Sequence, residues 1–145
     1  MGSFLLQFVP TGTEKTLGTI SSLIVMKRAS RKSVIMPYFA KRDGLVPVVV
    51  SDKKSGRVLM LGYTDKTAFL ATLQTGEAHF YSTSRKCLWK KGESSGNILS
   101  VHEIRIDCDK DALEYVVTCQ ASGNVCHTGN MTCFYRSMRP KSACS

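Results

Sequence analysis

The chain has 145 residues, 43% apolar and 21% charged, a composition that suits one globular domain and excludes an intrinsically disordered chain. No apolar run approaches the roughly 20 residues of a membrane-spanning helix. The longest candidate, Leu17 to Met26, is interrupted by Gly18, Thr19, Ser21 and Ser22. The net charge of +9 fits a polyanionic partner or a phosphorylated small molecule, but residues 1–42 hold seven basic residues against one acid and residues 43–145 hold thirteen against ten. So mild an excess on the body argues only weakly for nucleic acid, and no nucleic-acid partner is expected.

Residues 1–38 are read as an N-terminal extension and residues 39–145 as the functional domain. The Ser-rich, Arg/Lys-rich and acid-poor composition of the first 42 residues also matches an organellar transit segment. A cytoplasmic location is the expectation, with an organelle as the alternative if that segment is cleaved. Six cysteines, at 87, 108, 119, 126, 133 and 144, come without a secretory signal, which points to metal binding or catalysis in a reducing compartment.

From Gly44 the pattern tightens. Val46 to Val50 and Val58 to Leu61 flank the polar turn Ser51 to Gly56 and predict a β-hairpin. Thr64 or Asp65 offers an N-cap, Phe69, Leu70 and Leu73 an apolar stripe, and Gly76 a stop, predicting a helix of about ten residues. Ala78 to Ser82 resembles a strand, and the stretch Ser84 to Gly96, rich in charge, Gly and Ser, reads as a long loop. Ile104 and Ile106 alternate with Glu103 and Arg105, predicting a strand that runs into Asp107-Cys108-Asp109. Leu113, Tyr115, Val117 and Cys119 alternate with Glu114 and Thr118 in another strand, and a turn follows at Ser122-Gly123-Asn124. The chain is thus mainly β with one or two short helices.

Three groups of residues can do chemistry. Asp107, Asp109 and Asp111 stand at alternate positions, so an extended backbone puts them on one face roughly 7 Å apart. Such a row calls for a hard, oxygen-preferring divalent cation, Mg²⁺ above all. An EF-hand is excluded, because its sixth loop position is Ala112 and its twelfth Thr118. In the same extended reading Cys108 points to the opposite face, and its softer sulfur suits zinc. Cys126 and Cys133 lie downstream across the Gly129-Asn130 turn. Three thiolates would leave a fourth zinc position for water, as in a catalytic site, or for His127, Cys119 or Cys87, as in a structural one. His127, beside Cys126, is a candidate proton-transfer group. Ser82, Ser84, Arg85, Lys91, Glu93 and Ser95 offer hydroxyls and charges suited to a phosphorylated ligand, and Trp89 could stack on a base or fill the core.

Together these segments resemble the phosphoribosyl-AMP cyclohydrolase family. The resemblance spans about residues 39–136 and is carried by Asp43-Gly44-Leu45-Val46-Pro47, Val58-Leu59-Met60-Leu61-Gly62-Tyr63, Leu88-Trp89 through Gly96-Asn97, Asp107 through Leu113, Cys126-His127-Thr128-Gly129 and Thr132-Cys133-Phe134. It implies a homodimer built on a bent mixed-sheet pseudobarrel. Asp107, Asp109 and Asp111 would hold Mg²⁺, and Cys126 and Cys133 would hold Zn²⁺ with Cys108 of the other subunit. The implied reaction is hydrolysis of the N1–C6 bond in the purine of 1-(5-phosphoribosyl)-AMP, a step of histidine biosynthesis. His127 would then be catalytic, and Ser82, Ser84, Arg85, Trp89, Lys91, Glu93 and Ser95 would contact substrate. Thr83 stands where the family usually has a second Arg. A zinc-stabilised nucleic-acid-binding or dimerisation module without catalysis is the competing class; it leaves the three aspartates unexplained.

Overall fold

In the computed structural model, which describes residues 34–121 and 123–140, the first element is a single 3-10 turn, Phe39–Arg42. Strands β1 (Val46–Asp52) and β2 (Val58–Thr64) follow as an antiparallel pair, with Val48 opposite Gly62 and Val50 opposite Met60. The turn between them forms as its polar sequence predicts. Gly56 adopts a positive φ of 68° and donates to the Asp52 carbonyl at 2.8 Å, while the Asp52 carboxylate accepts from the Ser55 N–H and hydroxyl.

Helix α1 (Lys66–Thr75) is capped as expected: the Asp65 carboxylate accepts from the Ala68 N–H at 2.7 Å, and Gly76 closes the helix in the left-handed conformation. Its buried face differs from the predicted one. Phe69 is buried, but Leu70 and Leu73 remain 45% and 41% exposed, and Ala68 and Thr72 turn inward instead. The Thr72 hydroxyl explains the rotation, since it donates to the Ala68 carbonyl and accepts from the His79 N–H, tying the helix to the next strand.

Strands β3 (His79–Ser82) and β4 (Cys87–Lys90) form a separate antiparallel hairpin. The expected uninterrupted loop over residues 84–96 is therefore incorrect, because its first part returns as β4. Strands β5 (Leu99–Ile106) and β6 (Leu113–Cys119) pair antiparallel, and β6 joins β1 in parallel, giving a four-stranded mixed sheet ordered β2-β1-β6-β5. The parallel pair requires the whole β2-to-β5 segment to cross over, and α1 with the β3–β4 hairpin is that crossover. Mainly β with one α-helix is what the periodicity predicts; the sheet is mixed and does not close into a barrel.

Val46, Val48, Val50, Leu59, Phe69, Phe80, Leu99, Tyr115 and Val117 make the core. Phe80 of β3 crosses β2 at Gly62, where a Cβ would lie 2.7 Å from the ring, so only glycine admits this approach. After β6 the described residues form no regular strand, yet the Cys133 N–H donates to the Leu59 carbonyl at 2.7 Å and fastens the tail to β2. All these elements belong to the unit formed by residues 35–145. No helix among the described residues is long and apolar enough to cross a membrane. The expectations for residues 1–33, a transit segment among them, lie outside the described residues.

Candidate active site

Cys126 begins a tight turn in which the Gly129 N–H donates to the Cys126 carbonyl at 3.0 Å, with Gly129 at φ 82°. The Cys126 N–H in turn donates to the Asn130 carbonyl at 2.9 Å. The sulfur is thereby held inward, buried, while His127 on the same turn is exposed. Cys133, anchored on β2, brings its thiol near enough to Cys126 for each to alter the other's acidity. The two differ in acidity. The Thr128 hydroxyl, 3.0 Å from the Cys126 sulfur, and the Thr128 N–H hold the Cys126 thiol below its usual pKa; burial and the neighbouring Cys126 push the Cys133 thiol up. Cys126 is the readier thiolate of the pair.

The thiol of Cys126 opens on a cavity of about 310 Å³ lined by Trp89, Lys91, Gly92, Ser94, Ser95, Asn97, Asn124, Val125, His127 and Gly129. Trp89 packs on Phe80 with ring centroids 5.7 Å apart, as its core reading expects, and also lines the cavity. Lys91 is only 8% exposed, lies 5.8 Å from the Trp89 ring centroid, and its charge favours the thiolate at both cysteines. A buried cation on a concave wall suits an anionic ligand. Of the predicted residues, the cavity gathers Trp89, Lys91, Ser95, Cys126 and His127. Ser94 and Asn124 are additional lining residues that their polar, loop-like surroundings did not distinguish from solvated turn.

Ser82, Ser84 and Arg85 sit instead in the β3–β4 turn, where the Ser82 hydroxyl accepts from the Arg85 N–H at 3.2 Å and lies 3.3 Å from that of Ser84. Glu93 is exposed in the loop after β4. None of these four lines the cavity.

The aspartate segment departs from its predicted shape. Strand β5 ends at Ile106, and residues 107–112 form a turn with Lys110 at a positive φ of 64°. The Asp107 carboxylate accepts from the Asp111 N–H at 2.9 Å and the Ala112 N–H at 3.1 Å, which curls the chain and brings the three carboxylates within 4.8 Å of one another. The extended-strand argument that placed Cys108 on an opposite face therefore fails, although Cys108 is exposed. Among the described residues this is the one cluster of three side chains that could hold a metal ion, so the Cys108 sulfur does not join those of Cys126 and Cys133 within the protomer. Lys41 bridges Asp109 and Asp111, and Arg42 contacts Asp111; Lys41, with Arg42, holds the Asp111 carboxyl below its usual pKa. The Lys41 ammonium pairs with two of the three carboxylates, and the all-oxygen donor set of the cluster fits Mg²⁺. The paired sulfurs fit zinc.

Residues 60–135 match the family model described as phosphoribosyl-AMP cyclohydrolase. This chain belongs to that family. The matched stretch covers the whole cavity wall, the aspartate loop and both Cys126 and Cys133. The phosphoribosyl-AMP cyclohydrolase of Archaeoglobus fulgidus is 57% identical over 95 residues, which is 66% of this chain and 86% of that protein. That of Haloquadratum walsbyi is 52% identical over 96 residues, 66% of this chain and 71% of the relative. The histidine biosynthesis bifunctional protein HisIE of Aquifex aeolicus is 50% identical over 96 residues, 66% of this chain but 46% of that longer protein.

Proposed function

We propose that this chain hydrolyses the N1–C6 bond in the purine of 1-(5-phosphoribosyl)-AMP, in histidine biosynthesis, and that it does so with zinc. The observation that carries the reading is the Cys126 thiol, neighboured by Cys133, on a cavity wall shared with His127, Trp89 and Lys91, all inside the stretch that matches the family. Cys126 and Cys133 would hold the zinc, with Cys108 of a second copy. The exposure of Cys108 and its separation from the other two sulfurs support that division, under which the working unit would be a homodimer. Asp107, Asp109 and Asp111 would hold Mg²⁺. Zinc, when bound, supplies a nucleophile at neutral pH by lowering the pKa of a coordinated water to about 7.

The residues divide the remaining work. Ribosylation at N1 leaves the purine cationic and C6 electrophilic. Trp89 offers the ring a flat apolar surface, and Lys91, buried beside it, offers a charge to a phosphate oxygen. Ser82, Ser84, Arg85, Glu93 and Ser95 are assigned to further substrate contacts, Arg85 toward phosphate. Addition of water places its oxygen on C6, which becomes the carboxamide carbon, and one proton on N1 as the N1–C6 bond breaks. His127 lines the cavity with an exposed side chain, its Nδ1 4.0 Å from the Cys126 sulfur, and would deliver that proton to the departing N1.

Incubation of the purified protein with the phosphoribosylated AMP, followed by ultraviolet absorbance, tests the reading directly. The absorbance of the intact purine should give way to that of the opened product, and a zinc chelator should stop the change. No change with zinc-replete protein would overturn the proposal. For the histidine, the His127→Asn variant should retain zinc while turnover drops by about 10²- to 10⁴-fold, the range of a lost general acid. Near-normal turnover with zinc in place would remove His127 from the mechanism.

A further inference from the structure

The segment ahead of β1 is fastened at two points, and the fastening delivers a cation to the aspartate loop. The Tyr38 N–H donates to the Lys110 carbonyl at 2.7 Å, inside that loop. Phe39 packs edge-on against Phe69 of α1 with ring centroids 6.1 Å apart. The single turn that follows closes through the Gly44 N–H on the Phe39 carbonyl at 3.0 Å. From this turn the Lys41 ammonium reaches an Asp109 carboxylate oxygen at 2.7 Å and also contacts Asp111. Arg42 approaches Asp111 separately, donating to its carboxylate at 2.9 Å and its carbonyl at 3.1 Å.

Lys41 thus sits on the oxygens a divalent ion would use. The two cations are not equivalent. Arg42 grips both the side chain and the backbone of Asp111 and braces the loop from outside. Lys41 spans two carboxylates by a single compact charge on a flexible, half-exposed stem, and it can swing away without disturbing the backbone. Three carboxylates within 4.8 Å of one another repel strongly unless a cation lies among them.

We infer that Lys41 is an internal counter-ion that holds the aspartate loop assembled before a divalent ion arrives and must leave when it binds. The inference rests on the proposed reading of Asp107, Asp109 and Asp111 as a divalent-ion site. Binding is then an exchange of one cation for another rather than the filling of a bare anionic cluster. Its affinity is lowered by the work of displacing the lysine, and the loop does not have to fold around the ion. Lys41 lies outside the stretch matched by the family model, so the device belongs to the N-terminal part of this chain.

The test is Mn²⁺ binding at low ionic strength, followed by the paramagnetic resonance of the free ion, on metal-stripped full-length protein and its variants. In Lys41→Gln the dissociation constant should fall about fivefold, the effect of removing one competing charge at contact distance in a solvated setting. Lys41→Arg, which keeps a charge, should stay nearer the parent. Thermal unfolding gives an independent readout: ion-free Lys41→Gln should melt below the ion-free parent, and saturating Mg²⁺ should close the gap. Adding Asp109→Asn should weaken Mn²⁺ binding in either background and so locate the ion. Equal dissociation constants in parent and Lys41→Gln, with binding still dependent on Asp109, would overturn the exchange while leaving the divalent site standing. Absence of Asp109-dependent binding in both would overturn the site and the exchange together.

Discussion

Cys126→Ser is expected to yield a folded protein that retains little zinc and turns over substrate at least about 10³-fold more slowly. The exchange removes one sulfur and little volume, and the Cys126 turn keeps its backbone bonds to Gly129 and Asn130, so folding should survive. What disappears is the more acidic member of the thiol pair, the one that the Thr128 hydroxyl and N–H favour as an anion. A serine hydroxyl is not an anion near neutral pH and is a harder donor than zinc prefers. Without the metal, water keeps its pKa of about 15.7 and supplies almost no nucleophile at pH 7. Zinc content by elemental analysis and kcat on the phosphoribosylated AMP should fall together. Parent-level turnover by a protein without zinc would defeat the thiol assignment.

Gly92→Ala should damage both the fold and the chemistry. Gly92 has φ 89°, which costs a residue with a Cβ about 1–2 kcal/mol. Sterics add more, since an added Cβ would stand 2.3 Å from the Asn97 carbonyl carbon and 2.4 Å from the Ile98 nitrogen. These are backbone atoms, which no rotamer change can clear. The neighbouring loop is also tightly closed, with the Gly96 N–H donating to the Gly92 carbonyl at 2.8 Å. Relief must therefore come from shifting residues 92–98, which carry Ser94, Ser95 and Asn97 on the cavity wall beside Lys91. A displacement near 1 Å at a positioned group costs about 10²-fold in rate. A lowered Tm together with a kcat/KM loss of that order is the expected outcome. An alanine variant with parent-like melting and kinetics would show that the loop is not the rigid wall described.

Several local features were readable because short-range chemistry decides them. Asp65 and Gly76 bracket α1 by capping, and the turn from Asp52 to Gly56 needs only its own polar side chains and one positive φ. Strand β6 showed its alternation because Leu113, Tyr115 and Val117 all face the core. Strand β4 did not, since Cys87 and Leu88 are exposed and Trp89 and Lys90 only half-buried. A strand made by pairing with β3, with neither face fully covered, leaves no period-two trace. The helix face was misread for a related reason: the hydroxyl of Thr72 bonds across to His79, and that contact turns two leucines outward.

The candidate site divides in the same way. Residue types alone marked the soft donors at 126 and 133, the hard donors at 107, 109 and 111, and the histidine beside the first thiol, because donor chemistry belongs to the side chain wherever it lies. Assembly did not follow from type. The aspartates meet because the Asp107 carboxylate curls the chain over the Asp111 and Ala112 N–H groups, where alternation had suggested a straight strand. The cavity joins the loop after β4 to a turn some thirty residues on, and Lys41 meets a carboxylate 68 positions away. The sequence by itself determined which atoms can bind metal or move a proton, and where the backbone must turn. Tertiary packing decided which of those atoms become neighbours, since contacts between distant segments depend on how sheet, hairpin and loops settle against a shared core.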